Sequence, residues 1–450
     1  MVRGGFRMQR TNTSRLSAAQ IHTVVTLGFC GLVSAADNWF VSPALPAIAQ
    51  TLAVAPTAAM VILTAYMLPY GALQPVCGAI GDAVGRLRLL RVIVLGLCAG
   101  TLLCAVAPSL AVLVLARVVT GCFAAGIISV SQAFVGDAVG PECRAGAVGI
   151  LMGITFTGQG LSAGLGGILT DLVGWRAAFA AFGALAFAAW LGLSTLREPA
   201  LAPGAAAFGQ AESPEAAEVP SSAPGSAAPG VPDAPSSAAS AAPASSQPLQ
   251  PVAPAANPVV AFFRNALDIF FGPRRAVFVL ALATGILFLG TYGFMGTFLS
   301  EVCGLSSTAA GLLMMFYGVF CLVGGSLSGA LGARRGLPGV IAIGEVSGIA
   351  AAVLLAVAAA TSSWLPALGA AACLGLGYIL VQPTLVTLSM EADPERVGLC
   401  TGLIGFGVFA GGGVGSMLGG TVLAAGGYLG LWLVVAALLL VQLIVSKRVL

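Results

Sequence analysis

The sequence predicts an all-α membrane protein with twelve transmembrane helices in two six-helix halves. Its composition is the first observation: 58% of the 450 residues are hydrophobic and 8% are charged, whereas a soluble globular protein carries about 25% charged residues. Apolar stretches of about 20 residues, the length of helix that crosses a bilayer, recur along the chain. The basic residues gather in alternate connections between these stretches, as the positive-inside rule requires.

The apolar stretches form two sets of six. Strands of a membrane barrel would alternate over about ten residues, so these stretches are predicted to be helices. The first set lies near residues 21–43, 56–77, 89–107, 110–132, 146–168 and 177–196, and the second near 276–300, 309–331, 339–360, 365–389, 398–421 and 425–446. The predicted organisation is a tail over 1–20, a half over 21–196, a linker over 197–275 and a half over 276–446.

The linker has a composition unlike the rest of the chain. Residues 199–257 are mainly Ala, Pro, Ser and Gly, which bury too little apolar surface to offset chain entropy. We therefore expect a largely disordered linker. Residues 258–272 hold several phenylalanines beside Arg264 and Asp268. This pattern suits a short helix at the membrane surface, and an apolar linker end without fixed structure fits it equally well.

Orientation follows from the basic residues. If both termini and the linker are cytoplasmic, Arg176 alone of the 19 basic residues falls outside, and Arg117 lies within an apolar stretch. Such an asymmetry supports both the orientation and the number of spans. We expect a multi-pass protein of the cell inner membrane with both termini and the tail in the cytoplasm.

The two halves also repeat each other. Pro141-Glu142 recurs as Pro394-Glu395, and Gly174-Trp175 recurs as Gly427-Tyr428, at one constant offset with no gap between them. A constant offset that runs from one loop through a helix into the next loop favours an internal repeat. Parallel repeats place a substrate site at their interface near the middle of the membrane and support alternating access.

The connection between the second and third stretches carries a specific motif. It reads Gly78-Ala79-Ile80-Gly81-Asp82-Ala83-Val84-Gly85-Arg86-Leu87-Arg88 and resembles the loop motif G-x-x-x-D-x-x-G-R-x-R/K of the major facilitator superfamily. Glycines permit a tight turn, Asp82 can meet a helix N-terminus in the other half, and Arg86 can pair with Asp137. The resemblance implies that the partner of Asp82 is the eleventh helix, and that these groups latch the cytoplasmic side.

The proposed latch consists of Gly78, Gly81, Asp82, Gly85, Arg86, Arg88 and Asp137. The alternative is that the arginines only anchor the loop on the cytoplasmic side. The matching stretch of the second half, with Arg334-Arg335, lacks the acid.

Two charged residues lie inside predicted helices of the first half. Arg117 to Gly121 is similar to the family pattern R-x-x-q-G, with Thr120 in place of glutamine, and Asp37 to Pro46 resembles the D-x-x-x-x-x-x-A-L-P stretch of drug/proton antiporters. Counting about 1.5 Å per residue places Asp37 and Arg117 at the same depth, about 9–10 Å inside the membrane. We expect them to pair across a cavity, with Asp37 carrying a proton. A static ion pair that only fixes helix packing is the alternative.

Further polar and aromatic residues are candidates for a substrate cavity. They are Trp39, Gln132, Tyr292, Tyr378, Gln382 and Glu345. Glu345 is also a second candidate proton carrier, although a carboxylate at a helix interface is an alternative interpretation. The fifth stretch has Ser162-Ala163 where the antiporter pattern places Gly-Pro, which leaves symport and uniport open.

The chain most resembles the twelve-span drug/proton antiporter and sugar-efflux branch of the superfamily. The resemblance implies proton-coupled efflux of a small, moderately hydrophobic compound by alternating access. Proton-coupled uptake of a metabolite or sugar is one alternative, and a membrane receptor or assembly factor without transport is another. With His22 as the single histidine and the ten cysteines unpaired in spacing, we expect no catalytic constellation, metal or cofactor. The expected partners are a small-molecule substrate, protons and the lipid bilayer, and no nucleic acid. We expect the chain to be a monomer.

Overall fold

The structure, a computed structural model, describes residues 16–139, 141–197, 258–393 and 396–450. Within these ranges it contains helices and no strand. Ten helices are long and apolar enough to cross a membrane, and two of the ten are each broken once, at Gly336 and at Gly427. The described residues therefore form twelve spans, as predicted, and the predicted disordered linker over 199–257 lies outside them.

The spans are numbered along the chain. Spans 1 to 6 are Ala18–Trp39, Val61–Val84, Arg86–Ala105, Leu110–Ala138, Pro141–Val173 and Trp175–Ser194. Span 7 is Arg275–Glu301 and includes one turn of π-helix, Gly285–Leu289. Spans 8 and 9 form the helix Ser307–Thr361, span 10 is Trp364–Ser389, and spans 11 and 12 form the helix Val397–Val449.

Span 1 ends earlier than its apolar stretch. A separate helix, Val41–Thr51, follows it after a break at Phe40, and the short helix Pro56–Ala59 leads into span 2. Because Pro43 has no N–H group, it cannot bond to the carbonyl of Trp39 four residues earlier. The missing bond accounts for the end of span 1 at this point.

The segment before span 7 contains a helix, Pro258–Phe270. Of the two interpretations of this segment, the helical one agrees with the structure. Ile269 is buried, and the Phe270 ring centroid lies 5.7 Å from that of Phe278 in span 7. Phe263 and Phe271 are exposed. The location of this helix at a membrane surface remains a prediction.

Four of the five described glycines with positive φ separate consecutive spans at corresponding positions of the two halves. Gly85 and Gly336 have φ values of 96° and 69°, and they end spans 2 and 8. Gly174 and Gly427 have φ values of 88° and 63°, and they end spans 5 and 11. A residue with a Cβ atom adopts such φ values only with strain. The chain thus reverses at corresponding positions of both halves, including the pair Gly174 and Gly427 of the predicted repeat.

The two halves contact each other along spans 2 and 11, where a Cβ atom on Gly402 would meet Pro75 and one on Gly413 would meet Leu68, and also at one end of the bundle. The end that carries Asp171 is called the Asp171 end, and the opposite one the Arg86 end. At the Asp171 end, Ser42 Oγ donates to the carbonyl of Gly293 at 3.0 Å, and the rings of Trp39 and Tyr292 pack edge to face at 4.8 Å. These contacts join span 1 and its following helix to span 7.

Spans 5 and 8 pack closely at the Asp171 end and separate towards the Arg86 end. Glycines on one face of span 5 show how the distance to span 8 varies along the helix. A Cβ atom placed on Gly160, Gly164 or Gly167 would meet span 8. A Cβ atom on Gly149 or Gly153, on the same face nearer the Arg86 end, would have no described atom within 4 Å. The space between spans 5 and 8 therefore widens towards the Arg86 end.

Candidate transport site

A cavity of about 280 Å³ lies between the two halves. Spans 1, 2, 4 and 5 form its wall on one side, and spans 10 and 11 form it on the other. Aromatic rings alternate with amide and hydroxyl groups, and no charged side chain is among the described residues of the wall. The aromatic members are Trp39, Tyr66, Tyr70, Phe156, Tyr378 and Phe409, and the amide members are Asn38, Gln74, Gln132, Gln159 and Gln382. This chemistry suits a neutral or weakly polar ligand that stacks on rings and exchanges hydrogen bonds with amides.

Four of the six residues expected at the cavity lie in its wall: Trp39, Gln132, Tyr378 and Gln382. Tyr292 and Glu345 do not, which corrects the expectation. Tyr292 is fully buried under Trp39 in the closed contact of the Asp171 end, and Glu345 is buried between spans 9 and 12. A position within a span indicates depth, whereas the direction of a side chain depends on how neighbouring helices pack.

Asp37 and Arg117 form a buried ion pair. Arg117 Nη1 donates to Asp37 Oδ2 at 2.8 Å and to the Asp37 carbonyl at 3.3 Å. The side chains of Arg117 and Asp37 are 0% and 1% exposed. Thr101 Oγ1 in span 3 donates to the other carboxylate oxygen, Oδ1, at 2.7 Å. Spans 1, 3 and 4 therefore meet at one charge-assisted cluster, whose hydrogen bonds are of the strong class.

The sequence predicts a pair that spans a cavity, but in the structure the pair does not face the cavity. Arg117 Cζ lies 4.2 Å from the centroid of the Tyr66 ring, and it is Tyr66 that belongs to the cavity wall. A guanidinium at this distance from an aromatic face gains a cation–π interaction. Arg117 Nε and Nη2 have no hydrogen-bond partner among the described residues. The charged cluster thus lies in one half, directly behind the aromatic wall.

Asn38 is the polar group that the sequence reasoning missed. It is 2% exposed and lines the cavity, yet neither its amide nitrogen nor its amide oxygen has a partner in the described part of the chain. An unpaired amide buried beside a cavity is costly, and a bound ligand can remove that cost. Its position immediately after Asp37 was the available signal.

Comparisons with known proteins address the family. The sequence model of the Major Facilitator Superfamily matches residues 27–416, which is most of the chain. The chain belongs to the major facilitator superfamily. The crystal structure of a mutant of the nucleoside transporter NupG shares the fold of this facilitator with a TM-score of 0.70 and 11% identity, covering 95% of this chain and 99% of that one. The predicted fold class is confirmed.

A second solved structure has a similar fold. A bacterial homologue of the human lysosomal transporter Spinster, described as inward-facing and occupied, superposes on the facilitator with a TM-score of 0.64 and 16% identity over 97% of each chain. At such identities the likeness concerns the fold alone.

Curated relatives match part of this facilitator. A puromycin resistance protein from Streptomyces alboniger is 33% identical over 141 residues, which are 31% of this chain and 28% of the relative. The multidrug resistance protein Stp from Mycobacterium tuberculosis (strain CDC 1551 / Oshkosh) is 31% identical over 166 residues, which are 36% of this chain and 31% of the relative. The match thus spans about a third of the length of these relatives.

The motif loop of the facilitator turns at the Arg86 end. Arg86 Nη1 bonds to Asp137 Oδ2 and also donates to the carbonyl of Ala133 at 2.6 Å, so the arginine joins the start of span 3 to the end of span 4. Gly85 supplies the positive-φ turn between spans 2 and 3. A Cβ atom on Gly81 would lie near Leu89, and one on Gly78 would meet no described atom within 4 Å, while Arg88 is exposed. The side chain of Asp82, and with it the expected contact to span 11, lies outside the described residues.

At the opposite end, Asp171 joins the two halves. Its Oδ2 accepts a hydrogen bond at 2.7 Å from the backbone N–H of Thr308, in the first turn of span 8. The first N–H groups of a helix have no partner within the helix, and a carboxylate there gains from the helix dipole as well. This interaction fastens the end of span 5 to the start of span 8.

Proposed function

We propose that this facilitator exports a small, moderately hydrophobic compound in exchange for protons, by alternating access. The observation that carries the proposal is the Asp37–Arg117 pair, buried directly behind the aromatic wall of the cavity. The names of the curated relatives, which concern resistance to puromycin and to multiple drugs, favour efflux. The uncharged wall favours a neutral or moderately hydrophobic ligand over a phosphorylated or strongly acidic metabolite.

Proton coupling is proposed to act through Asp37. When its carboxyl takes up a proton, the attraction to Arg117 falls and the hydrogen bonds to the carboxylate weaken. Arg117 also makes a cation–π contact with the ring of Tyr66, and Tyr66 lies in the cavity wall. A ligand that displaces Tyr66 or bonds to Asn38 therefore disturbs the same cluster that binds the proton.

The conformation fits one stage of such a cycle. The positive-inside pattern assigns the Arg86 end to the cytoplasm, so spans 5 and 8 separate on the cytoplasmic side, while the halves are joined on the outer side through Asp171, Ser42 and Trp39. We assign this conformation as inward-facing. Rocking the halves about the cavity would close Gly149 and Gly153 of span 5 against span 8, and Arg86 with Asp137 would support the closed cytoplasmic side.

The first test measures accumulation of dyes, lipophilic cations and antibiotics, including puromycin. The cells are efflux-deficient bacteria that have an inner and an outer membrane and express the protein. We expect the wild type to lower accumulation of at least one compound, and we expect Asp37→Asn and a protonophore each to abolish this. Asp268→Asn is the matched control, because it removes an exposed carboxylate with the same change in charge. Full export by Asp37→Asn at equal expression would refute the role of Asp37.

Counterflow in proteoliposomes distinguishes the remaining functions. A transporter exchanges labelled for unlabelled substrate without a proton gradient, whereas a receptor or assembly factor does not. If nucleosides or sugars exchange and no drug does, the uptake alternative replaces efflux.

A further inference from the structure

A second fully buried carboxylate lies in the other half, away from the cavity. Glu345 of span 9 is 0% exposed and does not belong to the cavity wall. Its Oε2 accepts a hydrogen bond of 2.5 Å from Ser446 Oγ of span 12. Gln442, one turn earlier in span 12, lies near the same carboxyl. Glu345 thus contacts polar groups of another helix rather than lipid or ligand.

No cation of the described residues neutralises this carboxyl. Among their ion pairs none includes Glu345, and the charged group that acts on it is Lys447, whose side chain is exposed. Moving an ionised carboxylate out of water without a paired charge is so costly that such groups commonly take up a proton instead. Burial and the missing partner therefore both favour the neutral carboxyl.

The hydrogen bonds of the cluster leave two acceptors without a donor from the described residues. Glu345 Oε1 and Gln442 Oε1 are both buried, and neither has a partner there. The nearby donors are already used: Gln442 Nε2 donates to Thr284 Oγ1 of span 7 at 3.0 Å, and Thr284 Oγ1 donates to the Leu280 carbonyl at 2.7 Å. The cluster lacks one hydrogen atom, and a proton on Glu345 Oε1 supplies a donor.

We propose that Glu345, Gln442 and Ser446 form a proton-binding site in the second half, separate from the substrate cavity and from Asp37. A neutral carboxyl donates to the Gln442 amide oxygen, whereas an ionised carboxylate accepts from the amide nitrogen. A half-turn of the amide exchanges the two atoms. In the neutral form the amide nitrogen keeps its bond to Thr284, and Gln442 then links span 12 to both span 7 and span 9. In the ionised form the nitrogen leaves Thr284, while Ser446 still joins span 12 to span 9, so the proton controls the link between spans 12 and 7. This site is independent of which compound the protein transports.

Infrared difference spectroscopy of the purified full chain in nanodiscs, titrated with pH, tests the site. The C=O stretching band of a buried protonated carboxyl is expected in the wild type, in Asp37→Asn and in the exposed-acid control Asp268→Asn. It is expected to disappear in Glu345→Gln. A band that survives in Glu345→Gln and disappears in Asp37→Asn would overturn the proposal.

Ser446→Ala provides a variant that retains the carboxyl, in case Glu345→Gln does not fold. The Ser446 hydroxyl stabilises the ionised form by hydrogen bonding, so its loss should move the titration midpoint of the band up by about one pH unit or more. An unchanged midpoint would contradict the site. Each titration is run in sodium chloride and in choline chloride: equal midpoints support a proton site, and a midpoint that depends on sodium would assign the oxygens to a metal cation instead.

Discussion

Asp37 and Glu345 are both completely buried, yet their surroundings differ in kind. Asp37 meets a guanidinium at 2.8 Å and a hydroxyl at 2.7 Å, whereas Glu345 meets a hydroxyl at 2.5 Å and an amide, with no ion pair among the described residues. The first carboxylate is balanced by a second charge, and the second requires a proton. The comparison shows that burial by itself does not assign a role, because the partner determines which charge state is stable.

The largest effect should come from breaking the charge balance at Asp37. Arg117→Met leaves the carboxylate buried without its cation, and loss of one partner of a buried pair costs about 3–5 kcal/mol. We expect a strong drop in thermal stability of the purified protein, measured by a fluorescence melt. Arg88→Met, which removes an exposed arginine, is the control.

A double variant sharpens this result. Asp37→Leu combined with Arg117→Met removes both charges and should recover most of the lost stability, because well-packed apolar side chains can replace a buried pair. Proton-driven transport should stay absent. Equal instability of the single and double variants would show that packing around Arg117, rather than charge, dominates.

An exposed carboxylate, Asp171, should give an intermediate effect. Asp171→Ala removes the acceptor of the Thr308 N–H, and loss of a helix cap costs about 1 kcal/mol. The population of conformers with the outer side open should rise about fivefold. Distances between spin labels at positions 149 and 332, on a background without the native cysteines, would report the change. Asp268→Ala, which removes an exposed carboxylate away from this contact, should change nothing.

The smallest effect is expected at Glu345. Glu345→Gln replaces a protonated carboxyl by an amide of the same shape, which can also donate a hydrogen bond. The free energy of unfolding at neutral pH should change by less than about 1 kcal/mol, in the range of well-tolerated substitutions. Destabilisation as large as that of Arg117→Met would indicate that Glu345 is ionised, and the contrast between the two carboxylates would fail.

Much of the fold follows from local properties of the chain. Twelve spans could be predicted because the length and apolar composition of a span, and the glycines between spans, are properties of neighbouring residues in the sequence. The shared depth of Asp37 and Arg117 could be predicted too, because residue rise along a helix is constant. The break at Phe40 could have been inferred from Pro43, whose missing N–H acts locally.

Contacts between distant segments could not be predicted in the same way. Thr101 joins the Asp37 cluster from span 3, and no local pattern marks one threonine of an apolar helix as a hydrogen-bond donor to an aspartate 64 positions away. Tyr66 separates the ion pair from the cavity, which depends on the rotation of span 2. Glu345 turns away from the cavity for the same reason.

By itself, the sequence determined the membrane class, the number of spans, their repeat and the depth of each charged residue, since hydrophobicity and helical rise are properties of neighbouring residues. Only the tertiary structure decided which side chains face the cavity, which carboxylate has a cation and which lacks one, and where the halves meet. Those features depend on the rotation and tilt of whole helices. Packing between segments far apart in the chain sets both.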